Sequence, residues 1–255
     1  MRDGLQRAGR ALAAPLALLV VLEAYARTAG QSSDALAPPS AALRAFGRAL
    51  ADGSLIDATH FTLAAAASGL ALGSAAGLVF GVLLGLSRRA SASCALSIEL
   101  LRPVPSVALI PIAMLVFGFG LRMELAVVAF ATFWPMLVLT RAAVQQVEPR
   151  LLEVSAALGL GPWARATKIV LPAVLPRLFV ALRLGLAIAL VVAVTVEIAA
   201  NPSGMGYALM LAQQGLDPAL MLAWLGWIGL LGFGLNALAL RAQRALARRF
   251  GELAA

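Results

Sequence analysis

Charge is scarce in this sequence. Only 13% of its 255 residues are Asp, Glu, Lys or Arg, where an ordinary soluble domain carries about 25%. So few charged side chains cannot clothe a water-facing surface of this size, which excludes an ordinary soluble globular protein. A single cysteine, Cys94, excludes an intrachain disulfide. Histidine is equally rare: His60 stands alone, with no Cys/His cluster at metal-ligand spacing, so no metal site is expected. His60 reads instead as an interfacial residue at the start of a helix. The chain also lacks a G-x-x-x-x-G-K-[ST] stretch and so does not cradle a nucleotide in a P-loop. Hydrolytic chemistry inside a membrane needs a nucleophile with its base, or paired carboxylates. The lone histidine and Glu197, which has no carboxylate partner in sequence reach, offer neither.

Apolar residues are what the chain has in abundance: 62% of the total, with a mean hydropathy of +0.92. A helix needs about 20 apolar residues to cross the hydrocarbon core. Six stretches approach that length: Ala11–Ala26, Phe61–Leu86, Val104–Phe119, Leu125–Val144, Leu178–Ala200 and Ala219–Leu240. The third is short, follows Pro103 and Pro105, and is interrupted by Pro111; the fourth contains Pro135, which should kink it. The expected class is therefore an all-α polytopic membrane bundle of about six transmembrane helices.

The net charge of +8 would suit nucleic acid if the basic residues formed a patch, but they flank the apolar runs as loop anchors do. No nucleic acid is expected. With the N-terminus inside, sixteen of the 20 Lys and Arg fall on the inner side and four (Arg27, Arg44, Arg48, Arg122) outside. Both termini are therefore expected in the cytoplasm. The first apolar run leaves two readings open. Arg2, Arg7 and Arg10 precede it and "EAYA" follows, as in a cleaved signal peptide, yet an uncleaved helix gives the even span count that the charge bias requires.

Two further patterns stand out. Gly69, Gly73, Gly77, Gly81 and Gly85 recur every fourth residue in the second span. Small residues at that spacing let another helix approach closely in lipid, either as plain tight packing or as a face that slides. The second pattern is "EVSAALGLGPWARATKIVLP", 153–172, within the longest inner loop, 145–177. Proline near its start and Leu151, Val154 and Leu158 on one face predict a helix over Pro149–Leu158, ended by Gly159. Gly161-Pro162 restarts a helix that Ala164 to Val170 continue, with Pro172 marking the start of the fifth span. The product is a helix–turn–helix knob, with Ser155, Ala156 and Ala157 near its tip, shaped to insert into a partner's cleft.

The spacing Glu153, Gly159, Ile169, Leu171, Pro172 resembles the EAA loop of bacterial ABC importer permeases, with Val154 and Ser155 where that loop has alanines. "ELLRPVPSVALIPIAMLVFGFG" (99–120), "LPRLFVALRLGLAIAL" (175–190) and "VEIAANPSGMGYAL" (196–209) extend the likeness to the nitrate/sulfonate/taurine importer permeases. The resemblance implies a type I ABC importer permease-like fold in the bacterial plasma (inner) membrane. It divides the chain into 1–60 (first helix and external connection), 61–245 (permease core with the coupling loop) and 246–255 (cytoplasmic tail). It implies a second permease subunit, as a homodimer, two cytoplasmic ABC ATPase subunits and an extracytoplasmic binding protein that delivers the solute. ATP and Mg would be used by the ATPase, with no cofactor bound by this chain. Glu153, Ser155, Ala156, Ala157, Gly159, Gly161, Ile169, Leu171 and Pro172 would carry the coupling. Glu197, Asn201 and Met205 are candidates for the pathway or its gate. For Glu197 two roles stand side by side: a cap accepting backbone N–H groups around Ser203 to Gly206, or part of an outer gate. A secondary transporter or channel uncoupled from any ATPase is the competing reading. It would favour repeated halves and buried ionisable groups, and only Glu23, Arg183 and Glu197 lie in or near the spans.

Overall fold

Backbone N–H and C=O groups in hydrocarbon must bond within their own segment, so apolar runs of this length fold as helices. The computed structural model describes residues 2–28 and 36–249. Among them the elements are α1 (Arg2–Thr28), α2 (Pro39–Ala51), α3 (Ser54–Leu86), α4 (Arg88–Leu101), α5 (Ile110–Phe117), α6 (Leu121–Gln145), α7 (Pro149–Ala157), α8 (Pro162–Arg165), α9 (Leu171–Ala199), α10 (Met205–Gln214) and α11 (Pro218–Arg249). A 3₁₀ turn at Ser106–Leu109 precedes α5, and a π turn at Ala166–Val170 joins α8 to α9. Residues 250–255, the end of the expected tail, lie outside the described residues, and α11 stays helical to Arg249.

Four of these helices are long and apolar enough to cross a bilayer: Ser54–Leu86, Leu121–Gln145, Pro162–Ala199 and Pro218–Ala245. The apolar run Ala11–Ala26 is helical within α1. The expected third span departs from the prediction. Val104–Phe119 is a 3₁₀ turn followed by the short α5, and the Ser106–Phe117 segment meets α4 at 84°, the two making one bent pair. The eight residues of α5 reach only about 12 Å at 1.5 Å per residue. Prolines are the cause. Pro105 is extended (ψ 120°), and Pro103 and Pro105 each remove a helical donor just after α4 ends. By contrast α6 runs on through Pro135 as one helix.

The core is the α3–α6–α9 layer, and the glycine stripe builds it. A Cβ at Gly69 would stand 2.6 Å from Val128 Cβ, at Gly77 2.7 Å from the Phe133 carbonyl oxygen, and at Gly81 2.6 Å from Thr140 Cβ. At Gly73 it would strike Thr132 Oγ1 and the Ala129 carbonyl, and at Gly85 the Val144 side chain. All five glycines thus face one partner, α6, and the stripe is an intrachain packing surface. Ala66, Leu70, Val127, Val128, Ala189, Ala193 and Val196 fill the space beside it.

The bundle has two distinct ends. At one, α3 and α6 finish and the α7–α8 knob projects. At the other, α6 begins, α9 finishes and α10 folds back. Across this second end lies α2, whose buried Ala45 and Ala49 face α11 and α3, with Phe46 tilted on Trp227 at 5.6 Å between ring centroids. Trp227 Nε1 donates to Thr59 Oγ1 at 2.8 Å, which pins α11 to α3. Glu23 holds α1 there by accepting the Ser40 N–H (2.9 Å) and the Ser40 hydroxyl (2.7 Å) in the first turn of α2.

Candidate functional site: a helical knob and a buried polar junction

The knob forms as its sequence dictates. Pro149 opens α7 at a position where a missing N–H costs nothing. Gly159 closes it at φ +65°, a left-handed conformation that glycine takes without a Cβ penalty. The Leu160 N–H reaches the Ser155 carbonyl at 3.0 Å and the Gly159 N–H the Ala156 carbonyl at 3.0 Å, the two bonds of a Schellman termination. The chain then reverses at Gly161 and Pro162 starts α8.

Side-chain placement sorts the coupling candidates. Leu151, Val154 and Leu158 are exposed, as are Glu153, Ala156, Ala157, Gly159 and Gly161. Trp163, passed over in the sequence reading, is the most exposed of the loop's large apolar side chains at 81%. Ser155, expected among the small residues offered to a partner, is instead fully buried, its hydroxyl donating to the Leu152 carbonyl at 2.6 Å. It sits on the inner face with Leu152, three positions earlier, which packs on the core beside Val144 and Val170. Ile169 and Leu171 are half-buried and Pro172 is exposed.

Pro172 does not begin the fifth span. One helix runs from Pro162 to Ala199, 38 residues in all, so the knob's second arm and the span are a single rod. The π turn explains how the prolines are tolerated. The Leu171 N–H bonds to the Ala166 carbonyl, five residues back, and the extra residue relieves the clash that Pro172 would cause in an unbroken α-helix.

The opposite end holds a polar junction. Glu197 is fully buried and accepts the Gly206 N–H at 2.8 Å, the bond a cap of the external turn requires. Gly204, at φ +93°, lies so close that any Cβ there would collide with the Glu197 carboxyl. Asn201 and Met205 are buried as well, at 1% and 0% exposure, so within a single chain the three candidates form an interior contact. The Met205 N–H donates to Thr62 Oγ1 at 2.9 Å, and Asn201 Nδ2 donates to Glu124 Oε2 at 2.5 Å. Glu124 corrects the expectation that Glu197 has no carboxylate partner: it is fully buried in the first turn of α6 and meets the Glu197 side chain. A surface depression of about 340 Å³ abuts the junction, lined by Phe119, Glu197, Asn201, Pro202, Tyr207 and Met210 among others. Among the described residues no group of three His, Cys, Asp or Glu could hold a metal.

Comparison with known proteins fits this architecture. A putative aliphatic sulfonates transport permease protein of Bacillus subtilis (strain 168) is 29% identical over 84% of this chain and 78% of its own length. The riboflavin transport system permease protein of Chloroflexus aurantiacus is 31% identical over 93% of this chain and 90% of its own. An inward-facing structure of the MetNI methionine ABC transporter superposes with a TM-score of 0.66 over 75% of this chain and 95% of that one, at 22% identity, which establishes a shared fold. Residues 69–252 match the family described as binding-protein-dependent transport system inner membrane component. A glycine-welded helical core, a projecting knob and this match over most of the sequence lead to one conclusion: the chain belongs to that family, as a transmembrane permease subunit of an ABC importer.

Proposed function

We propose that this chain is one of two identical permease subunits in the bacterial plasma (inner) membrane, that its α7–α8 knob is the handle on a cytoplasmic ABC ATPase, and that its solute is a small sulfonate- or taurine-like anion. One observation carries the coupling role. The knob projects Leu151, Val154, Leu158 and Trp163 from the bundle end, with exposures of 39–81%, while Leu152 on its other face packs on the core beside Val144, Val170 and Val174. An apolar surface rimmed by Glu153 and Arg150 on a protruding helix pair suits a groove in a water-soluble partner.

The rest of the proposal follows the same mechanics. Both termini and the knob lie in the cytoplasm, where the loop carries Arg150, Arg165, Lys168 and Arg177. ATP and Mg are bound and consumed by the ATPase, and this chain contributes no cofactor site. The single rod from Pro162 to Ala199 passes a displacement of the knob to the Glu197 end without an intervening loop. An extracytoplasmic binding protein presents the solute at that end, and Glu197 serves there as a structural cap. The sulfonate-type motifs at 99–120, 175–190 and 196–209 and the likeness to the B. subtilis protein support the solute class. The test is ATP hydrolysis by the reconstituted complex with its binding protein and a panel of taurine, an alkanesulfonate, nitrate and riboflavin. Stimulation by taurine or the alkanesulfonate alone is the expected result. Stimulation only by riboflavin would overturn the solute class and leave the permease role standing.

A further inference from the structure

Two carboxyl groups meet in the interior of this chain with nothing basic beside them. Glu124, from the first turn of α6, and Glu197, from the end of α9, are both fully buried and face each other at one junction, Glu124 held by Asn201 and Glu197 by the Gly206 N–H. Their donors are few. Asn201 Nδ2 serves Glu124 Oε2 at 2.5 Å and the Gly206 N–H serves Glu197 Oε2 at 2.8 Å, while the Thr62 hydroxyl donates to the Ala58 carbonyl at 3.0 Å. That leaves Glu124 Oε1 and Glu197 Oε1 buried without a donor, together with Asn201 Oδ1 on a third element.

The surrounding elements supply no counter-charge. Thr62 faces the pair from α3, Asn201 from the 200–204 turn, and the Met205 and Gly206 backbone from α10. Phe119 and Tyr207 line the adjoining depression. The ionisable neighbours in sequence, Asp57, His60 and Arg122, are exposed. Among the described residues the one ion pair is Arg27–Glu23, and no metal-ligand group of three exists.

An ionised carboxylate only accepts hydrogen bonds, so two of them in contact repel; one protonated carboxyl supplies the missing O–H donor. We infer that Glu124 and Glu197 constitute a proton-binding site, one proton held between the two carboxyl groups as an acid–carboxylate hydrogen bond that closes the α6–α9–α10 junction. When the proton departs to water through the adjoining depression, two anions face each other. Their repulsion then pushes the start of α6 away from the end of α9. The junction is a latch that closes with a proton and loosens without one. This inference stands apart from the transport reading, because it rests on the interior of a single chain.

Infrared spectroscopy of the purified full-length chain in detergent tests it directly. Wild type is expected to show the carbonyl band of a protonated carboxylic acid at neutral pH, and both Glu124→Gln and Glu197→Gln should lose it. The thermal unfolding midpoint of wild type should fall as pH rises. In Glu124→Gln, whose amide is a permanent donor, that dependence should be lost. Absence of the band in wild type overturns the inference even if neither variant folds. A wild-type midpoint that responds to added sodium or calcium and not to pH also overturns it, by making the pair a cation site.

Discussion

Gly159 and Glu124 mark the two extremes of what one residue reveals about itself. Gly159 is legible because turn chemistry is local: a glycine after an apolar helical face, followed by Gly-Pro, demands a left-handed cap, and its φ is +65°. A Cβ there meets nothing within 4 Å, so Gly159→Val is penalised by backbone strain alone, of at least about 1 kcal/mol. The variant should still fold as a bundle, with an unfolding midpoint lowered by no more than a few degrees, yet recover less ATPase on co-purification; normal recovery and uptake would count against the coupling role. Gly204 differs, because its φ of +93° is joined by a collision with the Glu197 carboxyl. Gly204→Ala should therefore lower the unfolding midpoint of the isolated chain, and an unchanged midpoint would contradict the packing described. Glu124 was not legible. It meets Asn201 across 77 positions of sequence, and a contact of that range depends on the register between helices, which apolar periodicity leaves open.

Among the elements, the glycine stripe announced a close helix neighbour but not which one. Spacing fixes the face of α3 and leaves its partner undetermined, and α6 emerges only from packing. Valine at Gly73 or Gly77 would press on backbone atoms of α6 that cannot yield, and overpacking of this kind costs typically 1–3 kcal/mol. Either variant should depress the unfolding midpoint by several degrees or abolish recovery of folded chain. Gly226→Ala, where nothing lies within 4 Å, should be silent in the same assay. If all three behaved alike, the α3–α6 weld would be refuted. The third span and Pro172 differ from the sequence expectation in detail, for related reasons. Prolines were visible in both places, but whether a proline breaks a helix or is absorbed depends on geometry. At 103 and 105 they fall in the break where the chain turns through 84°, while at Pro172 a π turn takes up the extra residue and keeps the rod continuous.

For the whole molecule, the class was legible from composition because so low a charge content leaves no soluble solution. Orientation rests on the lysine and arginine bias, and it can be measured. In a Cys94→Ala background, cysteine at the exposed Leu216 should react with an impermeant thiol reagent in intact cells, while cysteine at the exposed Arg89 should react only after lysis. The reverse pattern would place the knob outside and end the coupling proposal. The central claim is that this bundle is driven through its knob by a separate ATPase. Its most direct measurement is binding-protein- and solute-stimulated ATP hydrolysis in proteoliposomes containing Leu158→Asp/Trp163→Asp permease, alongside wild type. Charge on this apolar surface should leave the isolated permease folded, with an unchanged unfolding midpoint, and abolish both ATPase capture and stimulated hydrolysis. Wild-type stimulation and uptake by that variant would contradict the account.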